Sequence, residues 1–241
     1  MKHLFLYILV PLAFLSCTTS APENGEELIA SMFKKHNASW YQTLTFKQAT
    51  IYYNAEGTIV REQTWFEAMQ LPSSLSIKFD SITSGNGIVF KNDSIYNFKE
   101  GNMVSSRKLY HPLLILGFSV YAQSPEKTID DLKQLKIDVS KIKTTTWLGK
   151  ENYVVGDENA THFYIEKERL LFTKIIQKGR NNSTNETLFN KYEPLQNGWI
   201  APEVMFFTDG KLTLKEVYSE IKTPVLKSEI FDVTQFQKSK W

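Results

Sequence analysis

Apolar and polar residues alternate with a period of two along most of this chain, and a few stretches break the rule. "LTFKQATIYY" and "TIVREQTWFEAMQ" flank the turn residues Asn54 to Gly57, which predicts two long antiparallel strands. "SLSIKF" sets Leu75, Ile77 and Phe79 against Ser74, Ser76 and Lys78, and "GIVFKNDSIYNFKEGNMVSS" adds short hairpins turning at Asn92-Asp93 and at 99–102. The pattern resumes in "TTTWLGKENYVVGD", in "THFYIEKERLLFTKIIQ" with a tight turn near Lys167-Glu168, in "ETLFNKYEPLQNGWIAPEVMFF" and, after Asp209-Gly210, in "KLTLKEVYSEIK". A closing "SEIFDV" offers Ile230 and Phe231 to the core. This amounts to about ten or eleven strands.

The departures predict helices. In "GEELIASMFKKHN" Leu28, Ile29, Met32 and Phe33 share one helical face, with Glu26 and Glu27 at the end that favours anions and Lys34 and Lys35 at the end that favours cations. "SPEKTIDDLKQLKID" has Ser124 as cap, Pro125 in the first turn and Ile129, Leu132 and Leu135 on one side. "YHPLLILGFSVYAQ" is apolar nearly all round but too short to cross a bilayer. The order is α+β, with the helices outnumbered.

The first residues follow another logic. Lys2 and His3 precede the apolar run Leu4 to Leu15, and Ser16 is a small residue before Cys17, the layout of a secretory signal. "FLSC" resembles a bacterial lipobox, although Phe14 stands where an aliphatic residue is usual. That resemblance makes residues 1–16 a signal peptide, Cys17 a lipidated first residue and 17–24 a tether, leaving 25–241 as one domain. Cys17 is the single cysteine of 241 residues, so no intrachain disulfide is available. The alternative is an ordinary secreted protein in which Cys17 is incidental.

Lys and Arg number 28 against 26 Asp and Glu, and their scatter leaves no nucleic-acid footprint. His36, His111 and His162 lack metal-ligand spacing, and no nucleophile elbow or phosphate loop occurs, so neither a cofactor nor a catalytic set is expected. His162 reads as a structural histidine. Glu62, Glu67, Glu203 and Glu216 lie on expected strands, but nothing in their spacing selects a pair.

Several stretches together resemble the outer-membrane lipoprotein-sorting (LolA/LolB-like) superfamily. They are the long hairpin around Gly57, "LPSSLSIKF", the G-x-x-x-Y-x-V of "GKENYVVGD", "FYIEKERLLFTKI", and "YEPLQNGWIAPEVMFFTDGKLTLKEV" followed by "EIFDV". The resemblance implies a strongly curved antiparallel β-sheet, an incomplete barrel, with helices covering its concave face. It implies a cavity for lipid or lipoprotein acyl chains, with "HPLLILGFSVY" as the lid. Phe46, Tyr52, Ile77, Phe79, Phe90, Leu113, Leu114 and Phe118 are the candidate cavity residues, although cores use the same residue types. The soluble carrier of that superfamily bears an arginine before the proline that opens the third strand; Leu71 takes that place here. With Cys17, the expectation is a protein anchored in the bacterial envelope, on the outer membrane's periplasmic face, in lipoprotein or lipid transport and localisation. An envelope protein is a further possible partner. Rival readings are a non-catalytic interaction lipoprotein and a hydrolase.

Overall fold

The computed structural model describes residues 21–241; Cys17 and the signal segment lie outside them. Helix α1, Gly25–His36, starts at Asn24, whose side chain accepts from the Glu27 N–H at 2.9 Å. A meander of six strands follows: β1 Thr43–Tyr53, β2 Ile59–Gln70, β3 Ser74–Phe79, β4 Gly87–Lys91, β5 Ser94–Lys99 and β6 Asn102–Lys108. The chain then forms α2, Pro112–Gly117, a 3-10 turn at Ser119–Tyr121, and α3, Pro125–Gln134, capped by Ser124. Strands β7 Ile142–Trp147, β8 Lys150–Gly156, β9 His162–Glu166, β10 Leu171–Lys178 and β11 Thr184–Asn190 come next. After them stand β12 Glu193–Leu195, β13 Gly198–Ile200, β14 Glu203–Thr208 and β15 Lys211–Lys222.

Thirteen of these strands form one antiparallel sheet in the order β6-β5-β4-β3-β2-β1-β15-β14-β11-β10-β9-β8-β7. The first and last strands pair at its centre, Gln48 opposite Tyr218 and Tyr52 opposite Leu214. Its edges, β6 and β7, stay unpaired, so the sheet is open, and the α2–α3 connection runs from one edge to the other. A connection of that kind must cross one face, and that face becomes the concave one.

The described residues form fifteen strands, thirteen of them in this sheet, against the ten or eleven expected. "TTTWLGKENYVVGD" is a hairpin, β7 with β8, turning at Leu148 and Gly149 with φ 51° and 74°. "YEPLQNGWI" makes its own two-stranded ribbon, β12 with β13, outside the large sheet.

The concave side divides into a filled half and a hollow half. In the filled half Leu28, Ile29 and Met32 of α1 pack with Val155, Phe163, Ile165, Phe172 and Ile175. Tyr121, fully buried, stacks on Trp40 at 4.0 Å and accepts the Phe172 N–H at 2.9 Å. On the convex side the C-terminal segment straps β2 to β5. Ile230 and Phe231 are buried as expected, but against Ala68 in a cluster separate from the main core. Phe236 stacks on Phe98 at 4.1 Å over Val89. Gly87 allows this approach, since a Cβ there would lie 2.0 Å from the Ile77 carbonyl oxygen and 2.8 Å from the Phe236 ring.

Candidate functional site

The hollow half holds a cavity of about 340 Å³ between the sheet and the lid. Strand alternation builds the sheet wall. Direct pairing puts Phe46 opposite Glu67, Glu67 opposite Ile77 and Ile77 opposite Ile88, so these four share one face. Phe90, Ile95, Phe206 and Leu214 extend the wall, and Leu109, His111, Leu113, Leu114 and Phe118 form the roof. The volume lies in the ~300–1,000 Å³ range of small-molecule sites.

Six of the eight residues proposed from the sequence meet here: Phe46, Ile77, Phe90, Leu113, Leu114 and Phe118. Phe79 and Tyr52 do not line the cavity. Phe79 packs on Trp65, ring centroids 5.0 Å apart, and Tyr52 lies toward the far end of β1 beneath the Arg61 guanidinium at 4.6 Å.

The lid is held at several points. Ser119 Oγ donates to the Pro72 carbonyl at 2.6 Å, beside the cis Leu71-Pro72 bond. The lid thus has its own tie at the bend where the superfamily pattern has arginine. Lys127 of α3 bonds Asp93 of the β4–β5 turn at 3.1 Å and also Asp131. Gly117 brings α2 so near β11 that a Cβ there would fall 2.5 Å from the Phe189 ring. A smaller void of about 170 Å³ beside Pro72 and Asn92 shares Met69, Phe90, Leu114 and Phe118 with the main cavity.

One end of the cavity is polar, which hydrophobic patterning did not reveal. Gln48, Glu67, Glu216 and Tyr218 line it together with Trp65. Glu67 is 5% exposed and makes no hydrogen bond; Glu216 is half-buried and accepts from the Tyr218 hydroxyl at 3.2 Å. Gln48 donates to Thr50 at 2.8 Å. Burial, then the charge of Glu216, raises Glu67 well above the ordinary carboxylate range. Burial pushes Glu216 up to about 7 against the hydrogen bonds of Tyr218 and Gln48. His111, lowered to about 4 by burial, is neutral at pH 7, and its Nδ1 and the Trp65 Nε1 are buried without partners.

The other two glutamates lie elsewhere. Glu203 pairs with Lys191 at 2.9 Å and Lys215 at 2.7 Å, and Glu62 is exposed. His162 is structural, its Nδ1 3.2 Å from the Ala160 carbonyl oxygen. Among the described residues no cluster of side chains has the makeup of a metal site, and no helix is long and apolar enough to cross a membrane.

No protein-family model and no curated protein matches the sequence. Solved structures do share the fold. A DUF1329 family protein from Desulfovibrio piger superposes with a TM-score of 0.56 at 13% identity, covering 86% of this chain and 95% of that one. A LolA superfamily protein from Nitrosomonas europaea gives 0.56 at 10% identity over 85% of this chain and 97% of its own. A domain classed with outer membrane lipoprotein-sorting proteins, from Vibrio parahaemolyticus, gives 0.58 at 13% identity over 89% and 100%. The chain therefore has the LolA-like fold, an open antiparallel sheet with helices across it.

Proposed function

We propose that this protein is an envelope protein, anchored through lipidated Cys17, that takes lipid or lipoprotein acyl chains into the cavity beneath its α2 lid. The observation that carries the reading is the apolar void of about 340 Å³ between Phe46, Ile77, Ile88, Phe90 and the lid residues Leu113, Leu114 and Phe118. Each methylene that leaves water for such a void contributes about 0.8 kcal/mol, so a single chain supplies enough to hold a ligand without any bond being made or broken. The likeness in fold to lipoprotein-sorting domains supports the same reading.

The function is binding rather than turnover. Tyr218 is the one hydroxyl on the cavity wall among the described residues, and burial together with Glu216 and Glu67 holds it as a neutral phenol, a poor nucleophile even though it donates to Glu216. The place of action is the outer membrane's periplasmic face, with an envelope partner exchanging the ligand.

The test is mass spectrometry of lipids extracted from the Cys17→Ala protein, exported and purified without detergent. A phospholipid or acylated peptide near one copy per chain is expected. Its absence, together with failure of the protein to take up acyl chains offered in solution, sinks the proposal.

A further inference from the structure

Building on the acyl-chain reading, we propose that the cavity selects chains whose buried end carries a cationic nitrogen, an amine-headed lipid, and discriminates against free carboxylates. The polar end contains two carboxyl groups brought from β2 and β15, on either side of β1, and among the described residues no lysine or arginine lines the cavity. Glu67 is 5% exposed, has no hydrogen-bond partner and lines the void. An acidic group in this position is costly unless something supplies donors and countercharge. Elsewhere in this protein buried carboxylates have both. Glu166 is held by Arg169 and Lys150, and Glu203 by Lys191 and Lys215. Among the described residues Glu216 has only neutral donors, the Tyr218 hydroxyl and the Gln48 amide, and the Glu67 carboxyl has none.

An ammonium group fits what is missing. It brings a positive charge and three donors, and the ring faces nearby favour cations. Phe46 and Tyr218 lie with ring centroids 4.3 Å apart, and Trp65 stands directly opposite Gln48 on the neighbouring strand. In the empty protein the pair holds protons; when the ammonium enters, a proton leaves to solvent and the carboxyl that loses it ionises against the ligand's charge. A fatty acid carboxylate has no such compensation and would place a third acidic group in the same space.

Calorimetric titration at pH 7 with decylamine, decanol and decanoate tests this on the unmodified protein, since the three differ only in the head. Decylammonium is expected to bind about tenfold or more tightly than decanoate, the size of effect that hydrogen bonds to charged groups produce, with decanol between them. Only the amine should release protons, read as a dependence of the heat on the buffer's ionisation enthalpy. In Glu67→Gln/Glu216→Gln the amine preference over decanol and decanoate and the proton release should both vanish. Equal binding of amine and carboxylate by the unmodified protein, or a preference that survives the double substitution, overturns the inference and leaves the acyl-chain reading standing. Binding of none of the three overturns both. If the double variant does not fold, the three-ligand comparison and the proton count on the unmodified protein still decide.

Discussion

Two buried residues show how far single side chains depart from what patterning demands. Lys78 is completely buried on the convex side of β3, its ammonium without a hydrogen-bond partner and 4.9 Å from the Phe236 ring. Burial, then the neighbouring Lys240, lowers its pKa. Replacing it with methionine keeps the stem's packing and removes an uncompensated polar group, so Lys78→Met should raise stability by about 1–3 kcal/mol in urea unfolding. The Glu67–Glu216 pair has the opposite pH signature to the rest of the carboxylates. Both groups bind protons more tightly folded than unfolded, so their contribution is full below the ordinary value of 4.5 and is lost as pH rises through about 7 for Glu216 and through the raised value of Glu67. Tyr218 and His111 are the other titratable groups facing the pair from the cavity wall, and both are neutral throughout this window. Glu166 and Glu203, held below their ordinary values despite burial by their cationic partners, are already ionised there. Below about pH 6.5 the buried neutral His36 and His111 oppose this trend, because unfolded histidine binds protons there, so the melting temperature should fall between about pH 6.5 and pH 8, and Glu216→Gln should flatten that slope.

At the level of elements, the lid is placed by its ties to the sheet and not by its own helix. α2 has only six residues and no side-chain cap, so packing and the Ser119 bond to Pro72 fix its position rather than helix propensity. Ser119→Ala leaves the Pro72 carbonyl without this donor and should cost about 1–2 kcal/mol, seen as faster amide exchange in 112–121 with little change in the strands. Gly117→Val drives the same helix away from Phe189, and its effect should be larger in ligand loading than in global stability, because the filled half anchored by Tyr121 and Trp40 is untouched. Sequence signals served these elements unevenly. Ser124 announces its helix as a cap, and Asn92-Asp93 and Asp209-Gly210 take the positive φ angles that such turn residues tolerate. Leu148-Gly149 adopts the same turn geometry, with an apolar residue at the first of its positive φ positions.

For the whole molecule, the central fact is the pairing of β1 with β15, which joins the two chain halves and lets the helices bridge the open edges. That arrangement leaves a hollow on one side of the concave face and a solid core on the other. A side chain large enough to fill the hollow should therefore compete with ligand and not with folding. Ile88→Trp is expected to lower the copies of co-purified lipid severalfold while the melting temperature stays or rises, measured on the same preparations.

The sequence by itself determined the alternation of strands, the caps and the turns, because each depends on neighbours within a few residues. These gave an antiparallel, strand-rich α+β chain; the open sheet with covering helices, and a cavity at Phe46, Ile77, Phe90, Leu113, Leu114 and Phe118, came from the resemblance to the lipoprotein-sorting superfamily, since core and cavity use the same residue types. Only the tertiary structure decided which apolar residues line space and which fill it. Phe79 and Tyr52 have the same pattern as Phe46 but lie outside the void. It also decided which carboxylates meet. Glu62, Glu67, Glu203 and Glu216 are alike as strand residues, and strand pairing across the centre of the sheet is what brings Glu67 and Glu216 into one cavity and gives Glu203 to its lysines. The physical reason is range: periodicity records which face a side chain takes, whereas register between strands distant in the chain sets what it faces.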